Sequence, residues 1–175
     1  LLQASAVQLA QWGCSAAWRT AVHALNWSRI EADWAWCHAQ GVHLCYWDCP
    51  DYPPLLKHIE APPLMLYCQG QWPRPASEPC LGVVGSRRAT AGGLAQARRF
   101  AEALAAAGWC IVSGFARGVD GAAHQAALRA AAGATVAVLG AGLRVDYPRQ
   151  HTQLRQALLA SGGTIISEFP PNLGP

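Results

Sequence analysis

The sequence predicts an α/β protein whose parallel sheet is covered by helices on both faces. Four short apolar runs rich in β-branched residues recur between residues 81 and 168, and amphipathic stretches of helical length separate them. Alternating strands and helices are typical of a parallel sheet, and strands that are apolar throughout are typical of burial on both faces. The expected architecture is therefore Rossmann-like.

The predicted elements of this region follow one another along the second half of the chain. We expect strands at LGVVG (81–85), WCIVSG (109–114), TVAVLG (135–140) and TIISE (164–168). We expect helices over 92–107, 120–132 and 149–161. Each predicted strand ends at a small or polar residue, where a loop begins.

The first part of the chain has a different composition, since six of the eight tryptophans lie within the first 47 residues. Helices are expected over 2–12, 15–25 and 28–40. The expected N-caps are Ser15 and Ser28, and the expected stops are Gly13 and Gly41. These elements predict a small helical domain over residues 1–41.

Between the helical domain and the core, VHLCYW predicts a strand, and closely spaced prolines exclude a long helix. The segment QWPRPASEP (71–79) is a Pro-rich connector, after which the pattern changes. The predicted organisation is thus a helical domain at 1–41, a strand and Pro-rich segment at 42–79, and the core at 80–175.

Composition indicates a globular protein, because 52% of the 175 residues are hydrophobic and 13% are charged. The apolar runs are shorter than the roughly 18 residues of a membrane span, and no signal segment opens the chain. We therefore expect a cytoplasmic protein without membrane contact. The seven cysteines show no framework spacing, which suits reduced thiols.

The net charge of +3 is unevenly distributed. Residues 1–79 carry four basic against six acidic side chains, whereas residues 80–175 carry nine arginines against four acidic side chains, a net charge of +5. The second half is therefore the candidate for binding an anionic partner. The alternative is that these arginines only form a solvated surface.

The segments after the predicted strands indicate a phosphate-binding edge, because carboxyl ends of parallel strands lie at one edge of the sheet. These segments are GSRRAT, SGFARGVD, LGAGLRVDYP and SEFPP. Glycines admit a ligand to the backbone, helix N-termini offer unpaired N–H groups, and arginine matches phosphate oxygens. No P-loop motif is present, and LGAGLRV lacks the third glycine of the dinucleotide fingerprint.

Ser113, Asp120 and His124 raise the hypothesis of a nucleophile, an acid and a base, since Asp120 and His124 have the i, i+4 spacing of one helix face. We favour a structural role, in which Asp120 is the N-cap of the predicted 120–132 helix and His124 packs or caps one turn further on. The sequence assigns no catalytic residue.

Zinc binding is a further hypothesis, because Cys37, His38, His43, Cys45 and Cys49 are close in sequence. They contain no paired C-x-x-C element, and Cys45 lies in an apolar strand, where a thiol packs as a small hydrophobe. The sequence therefore predicts no metal and no cofactor.

Four motifs in order, GVVGSRRAT, IVSGFARGVDGAAHQAAL, TVAVLGAGLRVDYPRQHTQL and GGTIISEFPP, resemble the core of the DNA-processing protein A family (DprA, also called Smf). Upstream, DYPPLLKHIEAPPLMLYCQG resembles the family's approach to that core, and the tryptophan-rich start occupies the place of its SAM-like N-terminal domain. The resemblance implies a dimeric, non-enzymatic protein that binds single-stranded DNA, protects it during natural transformation and loads the RecA recombinase onto it.

Carried onto matching positions, the resemblance also implies the contacts of a phosphate pocket. They are Gly85, Ser86 and Arg87 after the first core strand, Ser113, Gly114, Arg117 and Gly118 after the second, and Gly140, Gly142, Tyr147 and Arg149 after the third. Arginines at these positions neutralise phosphates, and Tyr147 or Phe115 is expected to stack on a base for roughly 1–3 kcal/mol. The alternative for both aromatic residues is burial in the core.

This sequence departs from the family at Gly92-Gly93, where Tyr-Gly is usual, and at His151, where Asn is frequent. The family's core also continues past the end of this chain into a Phe-Pro and Arg-Asn-Arg segment that completes the sheet, part of the groove and the dimer surface. With that segment we expect normal DNA affinity and dimerisation, and without it weak DNA binding and a monomer.

Two other functions stay open at this point. Nucleotide 5′-monophosphate phosphoribohydrolases belong to the same superfamily, but their P-G-G-x-G-T-x-x-E loop is not found, and Glu168 stands in a different context. The other is a nucleotide-sensing module that binds a small phosphorylated ligand and transmits its presence.

Overall fold

The computed structural model describes residues 5–74, 78–130 and 134–175. The chain divides into a small helical unit, Leu1–Ala35, and a larger α/β unit, Trp36–Pro175. No helix within the described residues is long and apolar enough to cross a membrane. The predicted helix residues 2–4, 131 and 132 and the connector residues 75–77 lie outside the described ranges.

The three predicted N-terminal helices are present as α1 (Ala6–Gln11), α2 (Ala16–His23) and α3 (Trp27–Ala39), the last of which runs on into the larger unit. Gly13 and Gly41 follow α1 and α3 with positive φ angles of 80° and 61°, as expected of helix stops. That this unit is SAM-like stays a prediction.

The N-caps of these helices follow the sequence in part. Ser15 caps α2, because its hydroxyl accepts a hydrogen bond from the Trp18 amide at 3.2 Å. The prediction for Ser28 is wrong, since α3 already begins at Trp27. Asn26 replaces it, and its side-chain oxygen accepts from the Arg29 amide at 3.1 Å.

Six strands of the described chain form one sheet in the order β1-β2-β6-β5-β4-β3. The strands are β1 (His43–Tyr46), β2 (Met65–Gly70), β3 (Cys80–Gly82), β4 (Cys110–Ser113), β5 (Thr135–Leu139) and β6 (Thr164–Ser167). Strands β3 to β6 are parallel neighbours, which confirms the Rossmann-like α/β architecture.

The sheet as a whole is mixed, because β2 joins β6 antiparallel and β1 joins β2 antiparallel, a pairing that the sequence did not predict. The segment 42–79 therefore contributes two strands to the same sheet as the core. Physically, β2 covers the edge of β6, whose backbone groups need partners on both sides.

Helices α4 (Ala91–Ala106), α5 (Val119–Ala127) and α6 (Thr152–Ala160) cover the sheet. Helix α5 ends five residues earlier than predicted, and a short 3-10 turn, Arg149–His151, replaces the first turn predicted for α6. Both differences lie at helix ends, where sequence periodicity is least informative.

Small side chains bring α4 and α5 together on one face of the sheet. Ala97, Ala101 and Ala105 form a buried stripe at helical spacing on α4, and a core cluster joins Ala101 and Ala105 to Ala123, Ala126, Ala127 and Ile111. Because alanine lets helix backbones approach closely, α4 and α5 pack tightly against each other. A second cluster, which includes Leu139, Leu143, Leu158 and Ile165, fills the core around β5, β6 and α6.

Candidate phosphate-binding site

The loop after β3 and the loop after β4 are joined through their backbones. The Val119 amide donates a hydrogen bond to the Ser86 carbonyl at 3.3 Å. Gly118 has φ 84°, and a Cβ placed there would overlap the Ser86 carbonyl oxygen and lie 2.9 Å from the Arg87 carbonyl oxygen. Only glycine meets both requirements, so Gly118 is explained by the junction of the two loops.

Gly85 has a related role, because a Cβ at this position would lie 2.7 Å from a methyl carbon of Val119. The loop after β3 thus packs tightly over the first turn of α5. Together Gly85 and Gly118 place the backbone of 85–88 beside the N-terminus of this helix.

We define the phosphate edge as residues 85–88 and 114–118. Ser86, Arg87 and Arg117 are exposed there, and within the described residues their amide groups donate no hydrogen bond. The guanidinium groups of Arg87 and Arg117 form no ion pair with a described acidic side chain. Unpaired amides and two uncommitted cations at a helix N-terminus favour an anion.

Ser86 and Arg88 shape the turn that presents these groups. The Ser86 hydroxyl accepts a hydrogen bond from the Arg88 amide at 3.0 Å, which fixes the turn after β3. Arg88 is itself exposed beside Arg87 and adds a third positive charge to the phosphate edge. The family resemblance implies a contact for Arg87 alone, although the motif GSRRAT contains both arginines.

Ser113 lies beneath the phosphate edge rather than on its surface. Its side chain is buried, and its hydroxyl donates to the Val83 carbonyl at 2.5 Å. This bond ties the end of β4 to the residue after β3. The geometry therefore gives Ser113 a structural role instead of the predicted phosphate contact.

The expectation that Asp120 is an N-cap is wrong, because Gly118 occupies that position and makes no side-chain cap. Asp120 lies in the first turn of α5, is buried, and accepts a hydrogen bond from the Ala116 amide at 3.3 Å. A Cβ at Gly114 would lie 2.9 Å from its carboxylate. Asp120 therefore braces the loop after β4, and the absence of a side chain at Gly114 leaves room for it.

His124 is fully buried one turn further along α5, where its Nδ1 lies 2.7 Å from the Thr135 hydroxyl. That hydroxyl donates to the Ile111 carbonyl at 2.8 Å, so it accepts from His124, which carries its proton on Nδ1. Its Nε2 has no partner among the described residues. Burial, with a smaller effect of His151, lowers the pKa of His124 to about 4.

Ser113, Asp120 and His124 consequently do not form a catalytic triad. Each polar group has a different partner: the Val83 carbonyl, the Ala116 amide and the Thr135 hydroxyl, respectively. The packing role predicted for His124 is confirmed. Acyl transfer chemistry requires a nucleophile that is hydrogen-bonded to a base, and this group contains no such pair.

Phe115 belongs to the core and cannot stack on a ligand. It has φ 59° and is 3% exposed, and its ring lies 5.2 Å from the His151 ring. The Phe115 carbonyl oxygen is 3.0 Å from Nδ1 of His151. The burial that the sequence left as an alternative is therefore the observed state.

The loop after β5 divides the remaining predicted contacts into accessible and inaccessible ones. Gly140, Tyr147 and Arg149 are exposed, with the Tyr147 side chain 46% accessible. Gly142 is buried, and its amide donates to the Leu173 carbonyl at 2.8 Å. A Cβ there would overlap the carbonyl oxygens of Pro170 and Pro171, so Gly142 accommodates the segment after β6 instead of a ligand.

A family model for DNA recombination-mediator protein A matches residues 43–175. Protein Smf of Escherichia coli is 41% identical over 146 residues, covering 83% of this chain and 38% of that protein. Protein Smf of Synechocystis is 44% identical over 126 residues, covering 70% of this chain and 31% of that protein. This chain therefore spans less than half the length of these relatives.

Solved structures show the same architecture. The X-ray structure of DNA processing protein A from Streptococcus pneumoniae matches with a TM-score of 0.72 and 28% identity, over 88% of this chain and 51% of that one. DNA processing protein A from Helicobacter pylori, whose structure describes its single-stranded DNA binding mode, matches with a TM-score of 0.64 and 28% identity, over 76% of this chain and 59% of that one.

Proposed function

Because this chain belongs to the DNA recombination-mediator protein A family, we propose that it binds single-stranded DNA, with the sugar-phosphate backbone on the phosphate edge. One observation carries the proposal: exposed Arg87 and Arg117 lie beside unpaired amides at the N-terminus of α5, without a described acidic partner. A chain of phosphates supplies the repeated negative charge that this arrangement favours.

The chemistry of the phosphate edge supports recognition of phosphates over bases. Amides and guanidinium groups contact phosphate oxygens, which carry no sequence information. Tyr147 is the accessible aromatic side chain on the neighbouring loop and is suited to stack on any base. We therefore propose that the protein shows little sequence preference.

We further propose that the protein acts by binding and not by catalysis. The candidate catalytic residues do not contact one another as a triad. Ser113, Asp120 and His124 are each hydrogen-bonded to a different structural partner. Dimerisation, protection of incoming DNA in natural transformation and loading of RecA are proposals that rest on family membership.

The test is fluorescence anisotropy of a labelled oligo-dT, followed by competition with unlabelled oligo-dT and with nucleoside monophosphates. We expect oligo-dT to compete at much lower concentration than a mononucleotide, because several phosphates engage at once. Equal competition by both would indicate a nucleotide-sensing pocket. Release of free base from a nucleoside monophosphate, followed by chromatography, would indicate a phosphoribohydrolase.

A further inference from the structure

A second group of polar side chains lies on β1, at the opposite edge of the sheet from β3. His43 Nε2 is 2.7 Å from one carboxylate oxygen of Asp51, and the Cys45 thiol lies 3.7 Å from the other. The nitrogen, sulfur and oxygen donors all lie within 4.8 Å of one another. We call His43, Cys45 and Asp51 the β1 cluster.

The fold holds this cluster in place from two sides. His43 and Cys45 are two residues apart on a strand, so their side chains project from the same face. Asp51 returns to that face through a turn in which the Cys49 amide donates to the Tyr46 carbonyl at 2.9 Å. Buried Tyr52, next to Asp51, anchors the turn through a 2.7 Å hydrogen bond from its hydroxyl to the Pro63 carbonyl.

We propose that the β1 cluster binds a zinc ion through His43 Nε2, the Cys45 thiolate and the Asp51 carboxylate. Zinc takes nitrogen, sulfur and oxygen ligands in a tetrahedron, in which the usual bond lengths place sulfur and oxygen about 3.6 Å apart. The observed 3.7 Å separation of the Cys45 and Asp51 donors matches this edge. A bound zinc ion replaces the 2.7 Å contact between His43 Nε2 and the other carboxylate oxygen of Asp51, and the exposed His43 side chain can turn towards the ion.

The Cys45 side chain is buried on β1, with its thiol facing the Asp51 carboxylate. The Trp72 indole N–H is buried without a hydrogen-bond acceptor in the described chain, and Trp72 packs against the core cluster that contains Cys45. Cys49 packs against the same core cluster and lies outside the donor set of the β1 cluster.

The sequence does not predict zinc, because its neighbouring cysteines and histidines contain no paired C-x-x-C element and Asp51 is not among them. The turn brings this carboxylate to the strand, so a mixed ligand set replaces the missing pair. A ligand set of one nitrogen, one sulfur and one oxygen suits zinc better than a hard cation such as magnesium or a soft cation such as copper(I).

The other group with metal-binding residue types, Glu78, Cys80 and Cys110, is a weaker candidate. Both carboxylate oxygens of Glu78 accept hydrogen bonds from Arg74, each at 2.6 Å. A metal would therefore have to displace a bidentate ion pair. The β1 cluster has no arginine or lysine bonded to its carboxylate in the described chain.

The test uses metal-free protein kept reduced, titrated with Co²⁺ as a spectroscopic probe and then with Zn²⁺. We expect one equivalent of Co²⁺ to give the thiolate-to-cobalt charge-transfer absorption and the strong visible absorption of a tetrahedral site, and Zn²⁺ to displace it. Cys45→Ser should abolish the charge-transfer band. Asp51→Asn should weaken Zn²⁺ affinity by at least the roughly 10–100-fold that loss of an outer-shell partner costs.

The matched controls are Cys14→Ser in the helical unit and His58→Ala on the exposed turn after Asp51, and both should bind Co²⁺ as the unchanged protein does. His43→Ala removes an exposed ligand and keeps the test valid if Cys45→Ser fails to fold by circular dichroism. The proposal would be overturned if the unchanged protein gave no charge-transfer band. It would also be overturned if the band persisted in folded Cys45→Ser or kept its full strength in His43→Ala.

Discussion

Gly118 lies against the carbonyl group of Ser86, with no space for a side chain between the two backbones. The same carbonyl accepts the Val119 amide, which begins α5. The loop after β3 and the helix after β4 are thus joined through their backbones, and the phosphate edge depends on their junction. Changes at this junction should therefore affect stability and DNA binding together.

Gly118→Ala should lower both stability and DNA affinity. Alanine at φ 84° and ψ −128° adopts a conformation that costs on the order of 1–3 kcal/mol, and its methyl group also displaces the Ser86 carbonyl. Denaturant unfolding and oligo-dT anisotropy measure the two effects. Gly92→Ala is the control, since a Cβ there meets open space in α4 and should be neutral or stabilising. Unchanged stability of Gly118→Ala would contradict this account of the junction.

Ser113→Ala should destabilise the protein and leave DNA affinity nearly unchanged. The buried hydroxyl donates to the Val83 carbonyl, and removing it leaves that acceptor unpaired at a cost of about 1–3 kcal/mol. Anisotropy is measured at a temperature where the variant is fully folded. A large loss of affinity in folded Ser113→Ala would instead show that the hydroxyl contacts the ligand, as the family resemblance implies.

Acid should destabilise the fold through His124. Because the folded-state pKa is about 4 and the ordinary value is 6.5, the unfolded chain binds the extra proton first as pH falls. Neutral, buried His124 contributes its full share of the unfolding free energy above about pH 6.5. This contribution is lost as pH falls towards 4, at a total cost on the order of 3 kcal/mol. Unfolding free energies at pH 7.5 and 4.5 should differ less in His124→Gln than in the control His58→Gln. Equal differences would disprove the role of His124.

Tyr147 should contribute to DNA binding through its ring. Tyr147→Ala is expected to cost about 1–3 kcal/mol of binding free energy, while Tyr147→Phe keeps the stacking surface and should bind nearly as well as the unchanged protein. Both variants should unfold like the unchanged protein, since the side chain is half exposed. Equal affinity of the alanine and phenylalanine variants would remove Tyr147 from the site.

Sequence patterns predict the parallel half of this fold well, because β-branched runs and amphipathic stretches report directly on burial. They do not predict β2: MLYCQG lacks both alternation and β-branched residues, and its place beside β6 depends on contacts distant in the chain. The mixed character of the sheet follows from that tertiary pairing.

The sequence likewise predicts only part of the candidate site. Arg87 and Arg117 are exposed on the predicted edge, as their position after the strands implies. Ser113, Phe115 and Gly142 belong to the same predicted motifs at the ends of β4 and β5 but are buried, because hydrogen bonds and packing with distant segments determine their burial. Motif spacing identifies a loop, whereas tertiary contacts decide which of its groups face a ligand.

Salt-dependent anisotropy of labelled oligo-dT most directly tests whether single-stranded DNA lies on the phosphate edge. Each neutralised phosphate contributes about −0.7 to the slope of log affinity against log salt, so Arg87→Ala should bind more weakly with a slope shallower by about 0.7. Arg129→Ala, an equal charge change at the exposed residue after the far end of α5, should keep the original slope. Loss of affinity in Arg129→Ala equal to that in Arg87→Ala, or no salt-sensitive binding by the folded protein, would contradict the account.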